Sequence, residues 1–342
     1  PVVLQIGFSL VGGALTDRVG GKNMASASCA LTCAAGLVFM ASTGFAMMLT
    51  AQVLMVIARA MFWPATWSMA SQLAGNSARQ LGRLNSITSA GQIAGTAAAG
   101  FLIAAAGFFY SFSILAAVGF VSLAFNQAFR QAAAASGGPA GSIFATYRML
   151  FQKRSIRYAV LCSYISALPV SLSFSFYPIL LVEQGFDTNA TGTLISLRGV
   201  GAIIGGIIAG YLVKQVRGGR APLVAAIIVG VSVALCAAVS QSALIAFFLF
   251  IVGAGSAVMT LYFQMLIGQV SSREARGSAM ALGGLGWSLS HLSVPLAMGY
   301  IKDAIGIHAA FYTIGGFALL CGIALVPLQR WAFAGEPPDK PA

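Results

Sequence analysis

Gly13-Ala14-Leu15-Thr16-Asp17-Arg18-Val19-Gly20-Gly21-Lys22 sits at the seam between two apolar stretches, residues 1–15 and 24–42. Within ten positions it gathers Asp17, Arg18 and Lys22 and three glycines, so it interrupts the apolar run with charge and with turn-forming backbone. Working outward, the same alternation of apolar run and polar seam continues through the chain. A helix needs roughly 20 mostly apolar residues to cross a bilayer core. Eleven stretches qualify: 1–15, 24–42, 45–71, 84–104, 108–129, 157–182, 190–213, 222–240, 243–270, 278–301 and 308–329.

Composition agrees with that reading. Hydrophobic residues make up 58% of the 342, charged residues 8%, and mean hydropathy is +0.89. Soluble domains carry about 25% charged residues, so a soluble enzyme is excluded. Disorder is excluded by the same apolar, aromatic content. Five cysteines, an odd number, all fall in apolar stretches and read as small buried hydrophobes, not as a disulfide framework. The expected class is an all-α polytopic membrane protein.

The net charge of +12 would suit a nucleic-acid binder if it clustered on one solvated face. It lies instead in the gaps between apolar stretches. Odd-numbered gaps and the C-terminal tail hold 16 of the 19 basic residues, and even-numbered gaps hold only Lys302. Cytoplasmic loops are enriched in Lys and Arg, so the odd gaps and the C-terminus are expected in the cytoplasm and the Glu183–Asp187 loop outside. A nucleic-acid partner is not expected.

The longest gap contains an Ala/Gly/Ser-rich linker, Gln131 to Ser142. It divides the chain into residues 1–130, a cytoplasmic connection 131–156, residues 157–330 and a tail 331–342. The halves echo each other. Gly13-Ala14-Leu15 recurs as Gly210-Tyr211-Leu212, and Arg79-Gln80-Leu81-Gly82 with Gly91 matches Arg276-Gly277 with Gly286, at offsets of 195–197 residues. A near-constant offset with matching loop polarity predicts two parallel six-helix pseudo-repeats.

The opening ten residues resemble the loop signature G-x-L-x-D-R-x-G-x-[RK] of the major facilitator superfamily, with the specified residue types at the specified spacing. The resemblance extends over essentially the whole chain. It implies the fold of that family, with helices 2 to 12 visible and helix 1 absent, and it assigns Gly13, Asp17, Arg18, Gly20 and Lys22 to a conformational switch. Glycines allow close helix approach. Asp17 suits a helix N-terminus or an arginine in one conformation only. The second copy, Gly210 to Arg220, has Lys214 where the first has Asp17. Arg59-Ala60-Met61-Phe62-Trp63-Pro64 resembles the family's R-x-x-x-G element with Trp63 at the glycine. Gly91-Gln92-Ile93-Ala94-Gly95-Thr96-Ala97-Ala98-Ala99-Gly100 resembles the antiporter signature but lacks its proline.

Ionisable groups inside a membrane span cost at least about 2.5–3.5 kcal/mol on insertion scales, which marks them as functional candidates. Arg59, Arg198 and His291 are the three deep within apolar stretches, and no Asp or Glu lies deep in any of them. Arg198 is the first candidate for substrate contact, and Arg59 a candidate for either substrate or helix bracing. His291, the only type titrating near neutrality, is the candidate for proton coupling. The resemblance adds cavity-lining candidates Trp63, Trp67, Tyr164, Tyr177, Tyr262 and Gln264. Pro64, Pro169, Pro178 and Pro295 are expected to bend their helices.

Together these readings predict a secondary active transporter of the cytoplasmic (inner) membrane that works by alternating access. They predict a small organic or inorganic anion as substrate, H+ or Na+ as coupling ion, and a monomer in the bilayer. A proton-coupled drug or metabolite exporter and a non-transporting receptor or scaffold remain as alternatives. No phosphate-binding G-x-x-x-x-G-K-[ST] loop occurs, so ATP hydrolysis is not expected. Neither is an enzyme activity, a cofactor or a metal site.

Overall fold

The computed structural model describes residues 2–73, 76–128, 142–212 and 220–334. The linker residues 131–141, Lys214 and Arg217 of the second loop copy, and the tail beyond 334 lie outside the described residues. Those described are helical, with turns and one 3-10 turn and no strand. In lipid each backbone N–H and C=O must be satisfied within its own segment, and the helix does that.

The helices are α1 Val2–Val19, α2 Gly21–Met40, α3 Phe45–Gln72, α4 Ser77–Ala128, α5 Ile143–Gln152, α6 Arg154–Ser173, α7 Phe176–Glu183, α8 Thr188–Leu212, α9 Ala221–Ala238, α10 Ser242–Val270, α11 Arg276–Ile305 and α12 Ile307–Ala332. Among the described residues nine segments are long and apolar enough to cross a membrane. The serine-bearing α11 and the first limb of α4 fall below that level.

Three places test the sequence pattern, each with a local reason. The stretches 84–104 and 108–129 form two helical limbs of α4 that meet at a kink at Gly107, where φ is 81°. Only glycine takes that left-handed conformation without strain. The stretch 157–182 is broken between α6 and α7 at Phe174 and Ser175. Here Ser171, Ser173 and Ser175 each donate a side-chain bond to the carbonyl four residues back, at 3.1, 2.8 and 2.9 Å. Such back-bonding bends a helix, and Pro169 leaves the carbonyl four residues before it without its helical donor. Helix α5 has no apolar run to announce it. It is amphipathic, burying Thr146 and Leu150 one turn apart while Phe144 and Met149 stay exposed.

The chain forms two compact units. The first comprises Pro1–Gln72, Ala94–Leu150 and Ser271–Gly284; the second comprises Leu73–Ile93, Phe151–Val270 and Leu285–Ala342. Helices α4 and α11 therefore each contribute one end to one unit and the remainder to the other. In the first unit α3 packs on α2 and on α1. In the second, α8 packs on α10 and α9 on α12, around a core that includes Leu168, Tyr177, Leu180, Val233, Leu249 and Phe311.

Candidate functional site

The charged seam at Asp17 becomes a defined contact. Gly20, with φ 92° and ψ 145°, turns the chain between α1 and α2 and leaves Asp17 half-buried in the last turn of α1. Within the first unit its carboxylate meets the start of α11. One oxygen accepts the Gly277 N–H at 2.6 Å; the other accepts the Ser278 N–H at 2.8 Å and the Ser278 hydroxyl at 2.6 Å. These N–H groups have no intrahelical acceptor, and the helix dipole favours an anion there. A charge-assisted bond of this kind contributes about 1.5–3 kcal/mol when buried and less at partial exposure.

The approach requires glycine on both helices. A Cβ at Gly13 would lie 2.5 Å from that of Ala281 and 2.7 Å from the Gly277 carbonyl oxygen. A Cβ at Gly277 would lie 2.6 Å from the Gly13 carbonyl oxygen and 2.8 Å from Asp17 Oδ1. Tyr147 of α5 donates its hydroxyl to the Leu10 carbonyl beside this crossing. Burial pushes that phenol up from its ordinary value, so it remains a protonated donor. Arg18 is exposed, while Lys22 donates to the Gln127 carbonyl at 3.3 Å.

The pseudo-repeat counterpart lies in the second unit, where α4 crosses α8. A Cβ at Gly82 would meet the Gly206 carbonyl oxygen at 2.6 Å, and one at Gly210 would meet Arg79 Cα at 3.3 Å. The Arg79 guanidinium lies 5.1 Å over the Tyr211 ring. Among the described residues no acid reaches across to the start of α4. Asn76 Oδ1 instead accepts the Arg79 N–H at 3.2 Å, so α4 is capped from its own chain.

Arg198 lies in the second unit. It is the eleventh residue of α8, about 15 Å along the helix. That is about half the ~30 Å thickness of a bilayer core. It is 8% exposed, so it turns into protein and not toward lipid. Its Nε has no hydrogen-bond partner, and no carboxylate pairs with it among the described residues. The phenol of Tyr177, wholly buried, is within electrostatic reach. The backbone beneath Arg198 is pinned: a Cβ at Gly253 of α10 would fall 1.9 Å from the Arg198 carbonyl oxygen, and one at Gly201 would fall 2.0 Å from that of Phe250.

The other candidates do not converge on Arg198. Gln264 is buried in an amide pair with Asn85: Asn85 Nδ2 donates to Gln264 Oε1 at 2.8 Å, and Gln264 Nε2 returns a 3.4 Å contact. Two residues before it on α10, Tyr262 accepts from Gln329 Nε2 at 3.1 Å. Tyr164 shares a 2.8 Å hydroxyl bond with Ser293. His291 Nδ1 lies 3.0 Å from the Trp287 carbonyl, its ring stacked on that indole at 3.9 Å. In the first unit Arg59 is the fifteenth residue of α3 and opens into a groove of about 230 Å³ with Ser28, Thr32, Phe62, Trp63 and Ser122. Trp63 and Trp67 lie 5.7 Å apart. Pro64 and Pro295 are carried inside unbroken α3 and α11. Among the described residues no group of three or more His, Cys, Asp or Glu could hold a metal.

Sequence reasoning passed over Asn85, Ser278 and Tyr147, and read Gly277 only as part of the repeat. Asn85 carried a signal, an amide one residue inside an apolar stretch. Ser278 carried none, since serine is common throughout the chain.

Comparison with known proteins is consistent with this architecture. The human organic anion transporter MFSD10 (TETRAN) superposes with a TM-score of 0.75 at 17% identity, covering 95% of this chain and 81% of that one. A variant of the Escherichia coli fucose:proton symporter FucP gives 0.75 at 16% identity, covering 95% and 87%. The proton:xylose symporter XylE gives 0.75 at 13% identity, covering 99% and 86%. At such identities the likeness speaks for the fold alone. Among curated proteins no sequence relative matches. The family model of the Major Facilitator Superfamily matches residues 1–191 and again 159–342. Matched from end to end, and folded as its members fold, the chain belongs to the major facilitator superfamily of multi-pass membrane transporters.

Proposed function

We propose that this transporter moves a small anion by alternating access, with Arg198 as the charge that recognises it. The observation that carries the reading is a guanidinium near mid-span, buried in protein and unmatched by any carboxylate among the described residues. A buried unpaired charge is costly, and an arginine cannot shed its proton to escape. An anionic ligand offsets that cost, and the planar fork suits a carboxylate, nitrate or phosphate.

In this reading the Asp17 contact stabilises one access state, and the halves 1–130 and 157–330 move about the 131–156 connection. His291 is the coupling candidate, with H+ as the ion; two of the fold neighbours are described as proton symporters. The basic seams and the C-terminus lie on the cytoplasmic side of the cytoplasmic (inner) membrane. A proton-coupled drug or metabolite exporter is the second reading, favoured by the aromatic walls Phe62 and Trp63 beside Arg59.

Flux into proteoliposomes tests it directly. A panel of labelled carboxylates, phosphates and cations is offered to the parent protein, Arg198→Lys and Arg198→Gln. The reading expects uptake or exchange of an anion, reduced in Arg198→Lys and lost in Arg198→Gln. Transport of cations alone, with Arg198→Gln fully active, would eliminate it.

A further inference from the structure

Arg198 stands alone as a fixed charge in its unit. Among the described residues of the second unit it is the one Lys, Arg, Asp or Glu more than about two turns from both ends of its helix. Helices α9 and α10 carry no Lys, Arg, His, Asp or Glu at all, and α7 carries only Glu183, its exposed last residue. His291 on α11 titrates but holds no fixed charge, and its ring packs on Trp287 of its own helix.

The walls around the guanidinium are apolar. One turn before it on α8, Leu194 is buried in a cluster with Leu180, Val233 and Leu249. Tyr177, the phenol within electrostatic reach, belongs to the same cluster and is wholly buried. Toward α10, backbone approaches backbone at Gly253 and Gly201. In such a setting charge is neutralised pair by pair, because a surplus ion loses its hydration and gains no partner.

One guanidinium cancels one negative charge. A monovalent anion on Arg198 therefore makes a neutral pair near mid-span. A dianion leaves a full charge at that depth, where insertion scales put the penalty at on the order of a fiftyfold change in affinity.

Resting on the anion reading above, we propose that Arg198 selects monovalent anions: a monocarboxylate, nitrate or dihydrogen phosphate is bound, while sulfate, dicarboxylates and hydrogen phosphate are rejected by their second charge. Each rejected ion offers the same paired oxygens to the planar fork, so shape alone would admit it. The charge count of the site makes the choice.

The test takes the whole purified protein in detergent and anions that differ by one charge without titrating near neutrality. Methyl sulfate is paired with sulfate, and monomethyl succinate with succinate, each titrated calorimetrically at neutral pH and fixed ionic strength. In each pair the dianion is the smaller ion, so a steric barrier would favour it. The extra methyl of the monoanion accounts for about fourfold on its own, and the expected preference for the monoanion is about tenfold or more. A preference below about tenfold, in either pair that binds, overturns charge selection and leaves the anion reading standing. Failure of all four to bind also overturns it, and the flux panel then decides the anion reading by itself. In Arg198→Gln the preference should disappear together with the binding. An undiminished preference there would place the selection elsewhere and overturn the proposal. Should that variant not fold, the two pairs measured on the parent protein carry the test.

Discussion

At the scale of single residues, the two charges that matter are held in opposite ways. Asp17 is satisfied by three donors, whereas Arg198 is buried beside a phenol and, among the described residues, no acid. Their substitutions should differ accordingly. Arg198→Met exchanges a buried charge for an apolar side chain of similar length. Without ligand it should leave thermal stability unchanged or raise it by about 1–3 °C. The same variant should lose the stabilisation that a saturating substrate anion gives the parent, which reaches about 2.7 kcal/mol at a hundred times Kd. A thermal-shift series with and without the anion checks both; retained ligand stabilisation in Arg198→Met would remove Arg198 from the site. Asp17→Asn keeps the shape but not the charge, and only its single carbonyl oxygen still accepts. It should weaken the hold on α11 by about 1–3 kcal/mol, enough to redistribute a near-balanced pair of states. Crosslinking yield between cysteines at Ala14 and Ala281 reports it, with a clear fall expected. Unchanged yield and unchanged transport would deny Asp17 a switching role.

At the scale of elements, the helices meet through glycine, and the space at each glycine ranks the substitutions. Gly253→Ala would place a methyl 1.9 Å from the Arg198 carbonyl oxygen and force α8 from α10. Overpacking of this kind costs typically 1–3 kcal/mol, and anion affinity should fall with it because the Arg198 backbone is displaced. Gly192→Ala, on the same α8 but with nothing within 4 Å, should be neutral or slightly stabilising, since alanine is the better helix former. Thermal midpoints of the two variants decide this; equal loss in both would refute the crossing as the cause. Most of these elements were legible beforehand, because an apolar run of span length has few other outcomes in lipid. The break between α6 and α7 was not, since it depends on three serines turning back onto their own carbonyls, which an apolarity pattern does not register. Helix α5 was missed for the converse reason: ten residues with one buried face resemble a loop in any measure tuned to spans. Of the candidate residues, the Asp17 partnership with a helix N-terminus could be read as one of two options. The Asn85–Gln264 pair could not, because 179 residues separate its members and nothing local announces a partner.

At the scale of the molecule, the uneven distribution of Lys and Arg makes a prediction about sidedness. In a cysteine-free background, Asp187→Cys should react with an impermeant thiol reagent added to intact cells, and Ala145→Cys, exposed on α5, should react only after permeabilisation. The reverse pattern would invert the topology. The wider lesson concerns the two crossings described above. Each joins glycine to glycine, but one is fastened by a carboxylate reaching from another helix and the other by a neutral hydrogen bond from the Ser86 hydroxyl to the Ile203 carbonyl at 2.9 Å, with contact and stacking. A duplicated architecture has thus lost its equivalence at one position, Asp17 against Lys214. The consequence is temporal. Parting α4 from α8 breaks no charge-assisted bond, whereas parting α1 from α11 breaks up to three, so the two should open in sequence and not in unison. If Asp17 is the switch proposed above, its clasp should be the slow latch, and the lifetime of the closed arrangement should depend mainly on that one carboxylate.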